Sequence, residues 1–293
     1  MDFLPHCPVS LSNTCQTDLT GADGATYRLQ VSWPQSWPDR KPPTAARVPI
    51  LYLVDGNAMF LTATEAMWRR AHAPQSSGRG IIVGVGYPLT DAVYNIRQRA
   101  FDLTPSDAHG GDGFGGADVF LDFIAGTVRP FVKSTLFPSV EIDREGIFGH
   151  SYGGLFVLHA LFTHPQLFSG FMAASPSIYW SNAFILKEEE QYREVGAAQE
   201  QKPTLMMYFG SYEKNPQLWP GESPENFKKR QAAAQDRSMS GYARSMYERL
   251  SQSNKLHVIA LQEYPKEDHD SVVGCVLSRS LTTFFEEWPF LGA

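Results

Sequence analysis

Gly146-Ile147-Phe148 reads as a short buried strand, Gly149-His150-Ser151-Tyr152-Gly153 as a forced turn, and Leu155 to Phe162 as an apolar helix. No other segment restricts the fold so tightly. A strand can reverse into a helix this abruptly only if small residues stand two before and two after the central one, which itself takes strained backbone angles. Gly149 and Gly153 fill those positions around Ser151. The pattern is the sequence form of a nucleophile elbow, which lifts Ser151 Oγ above a sheet and aims the N–H of Tyr152 at whatever the serine attacks. Serine between glycines is also ordinary turn composition, so the strand before it and the helix after it carry the reading.

A helix apolar on most faces needs a sheet and further helices to cover it. Such strands recur at 25–31, 49–54, 80–87, 145–148, 170–174, 203–209 and 256–262, and helical stretches at 57–71, 117–136, 152–163, 240–250 and 271–288 fall between or after them. Strands alternating with helices predict an α/β fold whose mostly parallel sheet is covered on both faces. No repeat or long linker interrupts the 293 residues, so they are expected to form one domain, with a mobile lid or insert around 104–116 and 213–238. The proline-rich stretch 33–49 reads as a connecting loop. Gly110 to Gly116 resembles a phosphate loop only in its glycines, since no strand leads into it and no Lys-Ser/Thr follows.

Hydrophobic residues are 43% of the chain and charged residues 19%, enough apolar material for a sizeable core. A net charge of -6 and a pI near 5.8 exclude the basic footprint of a nucleic-acid binder. No apolar run approaches the roughly 18 residues of a membrane span. The start, Met1 to His6, lacks the features of a secretory signal, so a cytoplasmic location is expected, or a periplasmic one if the natural protein carries a leader that is removed. Cys7, Cys15 and Cys275 lack metal spacing and read as isolated thiols, with a Cys7–Cys15 disulfide as the alternative.

Ligands of such sheets bind beyond the carboxyl ends of the strands, so residues just after each strand are candidates. Asp55-Gly56-Asn57 follows one strand. It offers the Gly56 N–H as a second oxyanion donor beside Tyr152, with Asn57 toward the substrate, although the tripeptide is also common turn and cap material. His269, in the polar loop after 256–262, is the candidate base, because the chain order serine, acid, histidine places the base late. Glu213, beyond the strand 203–209, is the candidate acid. Glu222, Glu225 and Asp236 are alternatives, as is a Ser151–His269 dyad. Arg97 and Arg99 are candidates for holding an anionic substrate. Trp180, after Ser175-Pro176-Ser177, offers an aromatic wall or simple core packing. His150 is expected to pack against the sheet and His159 to be a hydrogen-bonded interior residue.

Leu53-Val54-Asp55-Gly56-Asn57, Arg99-Ala100-Phe101-Asp102-Leu103-Thr104-Pro105, the elbow continued to Gly154-Leu155, Ala174-Ser175-Pro176-Ser177-Ile178 and His269 together resemble the esterase D-like branch of the α/β-hydrolases. Within that branch the chain is similar to the siderophore trilactone esterases that cleave enterobactin and salmochelin. The resemblance implies Ser151 as nucleophile, His269 as base, Gly56 and Tyr152 as oxyanion donors, Arg99 beside the substrate, and no metal or organic cofactor. The expected activity is hydrolysis of an ester through an acyl-enzyme, with a catecholate siderophore trilactone, either metal-free or iron-loaded, as substrate. A general carboxylesterase, a thioesterase or S-formylglutathione hydrolase, and a silent ligand-binding homologue are the alternatives.

Overall fold

The computed structural model describes residues 9–42, 47–72, 80–107, 110–194 and 201–286. Cys7 and the end of the helix expected at 271–288 lie outside the described residues. In the first half of the chain, strands β1 (Thr14–Thr20), β2 (Thr26–Ser32) and β3 (Arg47–Val54) lead to helix α1 (Gly56–Ala71), and strand β4 (Ile81–Gly86) leads to helices α2 (Ile96–Asp102) and α3 (Ala117–Phe123). Strand β5 (Glu141–His150), helix α4 (Tyr152–Thr163), strand β6 (Gly170–Ala174) and helices α5 (Trp180–Ala183) and α6 (Ile185–Glu194) follow. Strand β7 (Thr204–Gly210), helices α7 (Pro224–Arg237) and α8 (Met239–Ser251), strand β8 (Val258–Tyr264) and helix α9 (Val272–Glu286) complete it.

Among the described residues, one eight-stranded sheet runs in the order β1-β2-β4-β3-β5-β6-β7-β8. The pairs β1/β2 and β2/β4 are antiparallel, and every pair from β4/β3 to β7/β8 is parallel. This is the α/β-hydrolase fold implied by the sequence. Strand periodicity explains its layers: along β3, Ile50, Tyr52 and Val54 join one core while Leu51 and Leu53 join the other. The first core holds Phe120 of α3, Phe156 of α4 and Met246 of α8; the second holds Phe60 of α1 and Leu281 of α9.

β1, Thr-Cys-Gln-Thr-Asp-Leu-Thr, is a half-exposed edge strand with no apolar run to announce it. The helix expected over 117–136 is α-helical to Phe123 and then runs through two π-helical segments, Ile124–Val128 and Phe131–Leu136. No helix of the described residues is long and apolar enough to cross a membrane.

Candidate active site

β5 and α4 meet at Ser151, whose φ of 62° and ψ of -115° lie outside the helical and strand regions. A Cβ on Gly149 would stand 2.2 Å from the carbonyl oxygen of Gly153, so strand and helix close on each other only because a glycine is there. The strained residue is tied down from both sides. Ser151 N–H donates to Ala174 at 3.0 Å, while its carbonyl accepts from Leu155 at 3.0 Å and Ser177 at 3.1 Å. The Ser151 and Ser177 hydroxyls are 3.4 Å apart.

The structure brings His269 and Glu213 together from the loops after β8 and β7. Glu213 Oε2 lies 3.2 Å from His269 Nδ1. Its other oxygen accepts from Gly210 N–H and from Ser175 Oγ, both at 2.6 Å. The Glu213 carboxylate is 1% exposed and the His269 side chain 37% exposed, so a fixed, buried acid faces an accessible imidazole. Placing the proton on Nδ1 leaves Nε2 free to accept one. Ser151 and His269 are not hydrogen-bonded to each other. Such catalytic bonds commonly tighten only when substrate binds. Two of the other carboxylates considered for the acid are engaged elsewhere, Glu222 with Arg230 at 2.7 Å and Glu225 with Lys229 at 2.7 Å.

His150 does not simply pack on the sheet. Its ring centroid is 4.5 Å from that of His269, and it is buried. Burial and the neighbouring His269 hold its pKa down at about 3, so the ring stays neutral.

Gly56 and Tyr152 are the first residues of α1 and α4, which start from the paired strands β3 and β5. First-turn N–H groups have no partner within their helix, and both helix dipoles favour negative charge there. Asp55, ahead of Gly56, is left-handed at φ 54° and buried. It accepts two hydrogen bonds from Arg99, at 2.9 and 2.8 Å, and the Arg99 guanidinium lies over the rings of Tyr94 and Tyr152. The arginine expected to meet an anionic substrate is thus neutralised by a partner 44 residues away. Arg97, two residues earlier on the same short helix, is exposed.

Asn57 turns from the substrate side to the fold. Its amide donates to Tyr87 C=O at 2.9 Å and accepts from Tyr87 N–H at 2.7 Å, clamping α1 to the end of β4. Trp180 is buried against Phe114, and Gly110 packs on its ring. The 104–116 segment is also pinned by Gly116 N–H to Phe101 C=O at 2.8 Å and Gly115 N–H to Thr104 Oγ1 at 3.0 Å; Ala108 and His109 lie outside the described residues.

A cavity of about 480 Å³ opens beside Glu213 and His269, with Trp219, Arg230 and Arg237 among its walls. The 213–238 connection supplies these walls, largely through α7, which buries no residue of its own. Sequence reasoning missed Ser175 as a donor to Glu213 and Ser177 as a neighbour of Ser151. Their position immediately after β6 was the available signal.

The chain matches the sequence profile described as "Putative esterase" over residues 22–269. It is 47% identical to the siderophore triacetylfusarinine C esterase of Aspergillus fumigatus, with 97% of each chain covered. It is 43% identical to the siderophore enterobactin esterase of Emericella nidulans, covering 94% of this chain and 95% of that one. Among solved structures it is similar to the siderophore hydrolase EstB from Aspergillus nidulans, with a TM-score of 0.93 and 44% identity over 98% of this chain and 99% of that chain. Whole-length relatives at these identities, together with the profile match, establish that the protein belongs to the putative esterase family and is a carboxylic ester hydrolase of α/β-hydrolase fold.

Proposed function

We propose that the chain hydrolyses siderophore esters, with Ser151 as nucleophile, His269 as base and Glu213 as the acid. The observation that carries this is the buried Glu213 carboxylate 3.2 Å from His269 Nδ1, with the His269 ring beside the elbow that presents Ser151. His269 Nε2 takes the proton of Ser151 as Oγ attacks the ester carbonyl, and Glu213 stabilises the imidazolium that results. The N–H groups of Gly56 and Tyr152 hold the developing oxyanion, each supplying about 2.7 to 4 kcal/mol of barrier lowering. His269 then protonates the leaving alkoxide, and water attacks the acyl-enzyme by the reverse route.

Arg99, paired with Asp55 and stacked on Tyr152, steadies the oxyanion loop and places a compensated positive charge at the substrate's edge. The cavity beside His269 takes the bulk of the substrate, with Trp219 as an aromatic face and Arg237 at the rim. A catecholate trilactone of the enterobactin kind suits these cations. A second reading, triacetylfusarinine C, is favoured by the higher identity to the esterase named for it and by the neutralisation of Arg99.

The test is product analysis on metal-free and ferric enterobactin and triacetylfusarinine C, beside short aryl esters and thioesters, together with fluorophosphonate labelling. Turnover of a siderophore and labelling that Ser151→Ala abolishes are expected. Rapid turnover of small esters with every siderophore untouched sinks the substrate assignment. Equal labelling of parent and Ser151→Ala sinks the nucleophile.

A further inference from the structure

The reaction scheme has no use for His150, the residue immediately before the nucleophile. Its side chain is 4% exposed, and its Nε2 is buried without a hydrogen-bond partner. An unpartnered buried nitrogen is a cost that an aliphatic or phenyl side chain would avoid. Its ring lies against the His269 ring at 4.5 Å between centroids, with the planes inclined at 44°. We infer that His150 is a positioning residue for the base, an uncharged wall on which the His269 imidazole rests. The inference depends on Ser151 and His269 acting as proposed above.

The geometry explains why a second support is needed. Glu213 holds the His269 ring through one contact at Nδ1, and one contact leaves the ring free to swing about it. The side chain is 37% exposed and borders the open cavity, so packing on that side does not restrain it. The His150 ring, inclined at 44° against it, supplies the missing constraint. Because His150 adjoins Ser151 in the chain, the wall and the nucleophile move as one body, which keeps the distance between base and hydroxyl constant.

Neutrality matters as much as shape. His269 becomes an imidazolium during the reaction, and a second cation packed against it would oppose that step. Burial, the charge on His269 and the nearby Arg99 all disfavour a proton on His150, and a hydrogen bond with the His269 backbone only partly offsets them.

The experiment compares His150→Ala, His150→Phe and His150→Asn with the parent. The readouts are kcat and KM on a short aryl ester, the rate of fluorophosphonate labelling of Ser151, and thermal melting. His150→Ala is expected to lower kcat by about 10- to 100-fold, with KM within about twofold, because a misplaced base weakens the transition state and not substrate binding. His150→Phe, which restores an aromatic face, is expected to recover kcat to within about threefold of the parent. If His150→Ala does not fold, the pair Phe against Asn decides: an active Phe variant and a weak Asn variant support the wall. Equal kcat in parent and His150→Ala overturns the inference, as does a folded His150→Phe no better than His150→Ala, or than His150→Asn where Ala fails. A parent protein that takes no label at Ser151 overturns the functional reading instead, so the two failures are separable.

Discussion

Replacing Glu213 with glutamine isolates the electrostatic part of the acid's role from its structural part. The carboxylate lies 3.2 Å from His269 Nδ1, and a unit charge at that distance stabilises an imidazolium by about 5 kcal/mol at an effective dielectric near 20. The His269 side chain is 37% exposed, so solvent screening reduces this to about 3 kcal/mol. The glutamine amide adds a second penalty: its N–H₂ faces Nδ1 and selects the tautomer that carries the proton on Nε2, which can no longer accept one from Ser151. Together these lower kcat by about 10³- to 10⁴-fold, a barrier rise of about 4 to 5.5 kcal/mol. Folding is expected to survive, since the glutamine carbonyl still accepts from Gly210 N–H and Ser175 Oγ. Glu213→Ala would strand both donors and destabilise by about 2 kcal/mol or more. The assay is kcat on a short aryl ester with melting temperature measured in parallel. A Glu213→Gln enzyme within about threefold of the parent kcat would refute the reasoning and leave a Ser151–His269 dyad.

His159 provides a pH prediction remote from the chemistry. Burial disfavours its charge, but Asp118 at 3.2 Å and Glu188 at 2.9 Å overcome this and push its pKa up to about 9. Its folded value exceeds the unfolded one of about 6.5, so the stability it contributes is fully present below about pH 6.5 and is lost as pH rises through about 9. The melting-temperature gap between parent and His159→Leu should therefore shrink on going from about pH 6 to pH 10, and a gap independent of pH would count against the clamp. Gly56→Ala would place a Cβ 2.6 Å from the Gly84 carbonyl carbon, and backbone cannot yield as a side chain can. A loss of about 1–3 kcal/mol in stability and about 10²-fold in kcat is expected, and unchanged values of both would refute the close packing of Gly56 on Gly84.

The layout of the candidate site could be read from the chain because each of its proposed main residues follows a strand. Ser151, Gly56, Glu213 and His269 stand at the ends of β5, β3, β7 and β8, and a parallel sheet gathers such ends on one edge. Pairings that depend on side-chain reach could not be read. Arg99 finds Asp55 across 44 positions, Asn57 bonds Tyr87 across 30, and neither distance leaves a periodic signal. β1 escaped notice because an edge strand with one solvated face needs few apolar residues, and α7 because a helix that buries nothing has no hydrophobic stripe. The role of His150 was hidden for a further reason, since its neighbour His269 arrives from 119 positions downstream.

The turn after β6 connects two elements of the proposed catalytic machinery. Ser175 Oγ anchors the acid, and two residues later Ser177 N–H anchors the nucleophile's carbonyl. An alteration of chain length between Ala174 and Ile178 would therefore misalign acid and serine in one stroke, and a compensating substitution would have to mend both. The 213–238 connection has no such double duty beyond Glu213, since its helix α7 lines the cavity without entering the core. In a laboratory evolution of substrate range, loop grafts from about residue 216 onward can explore new ligands on an intact catalytic frame. The turn at 174–178 is the place to leave untouched.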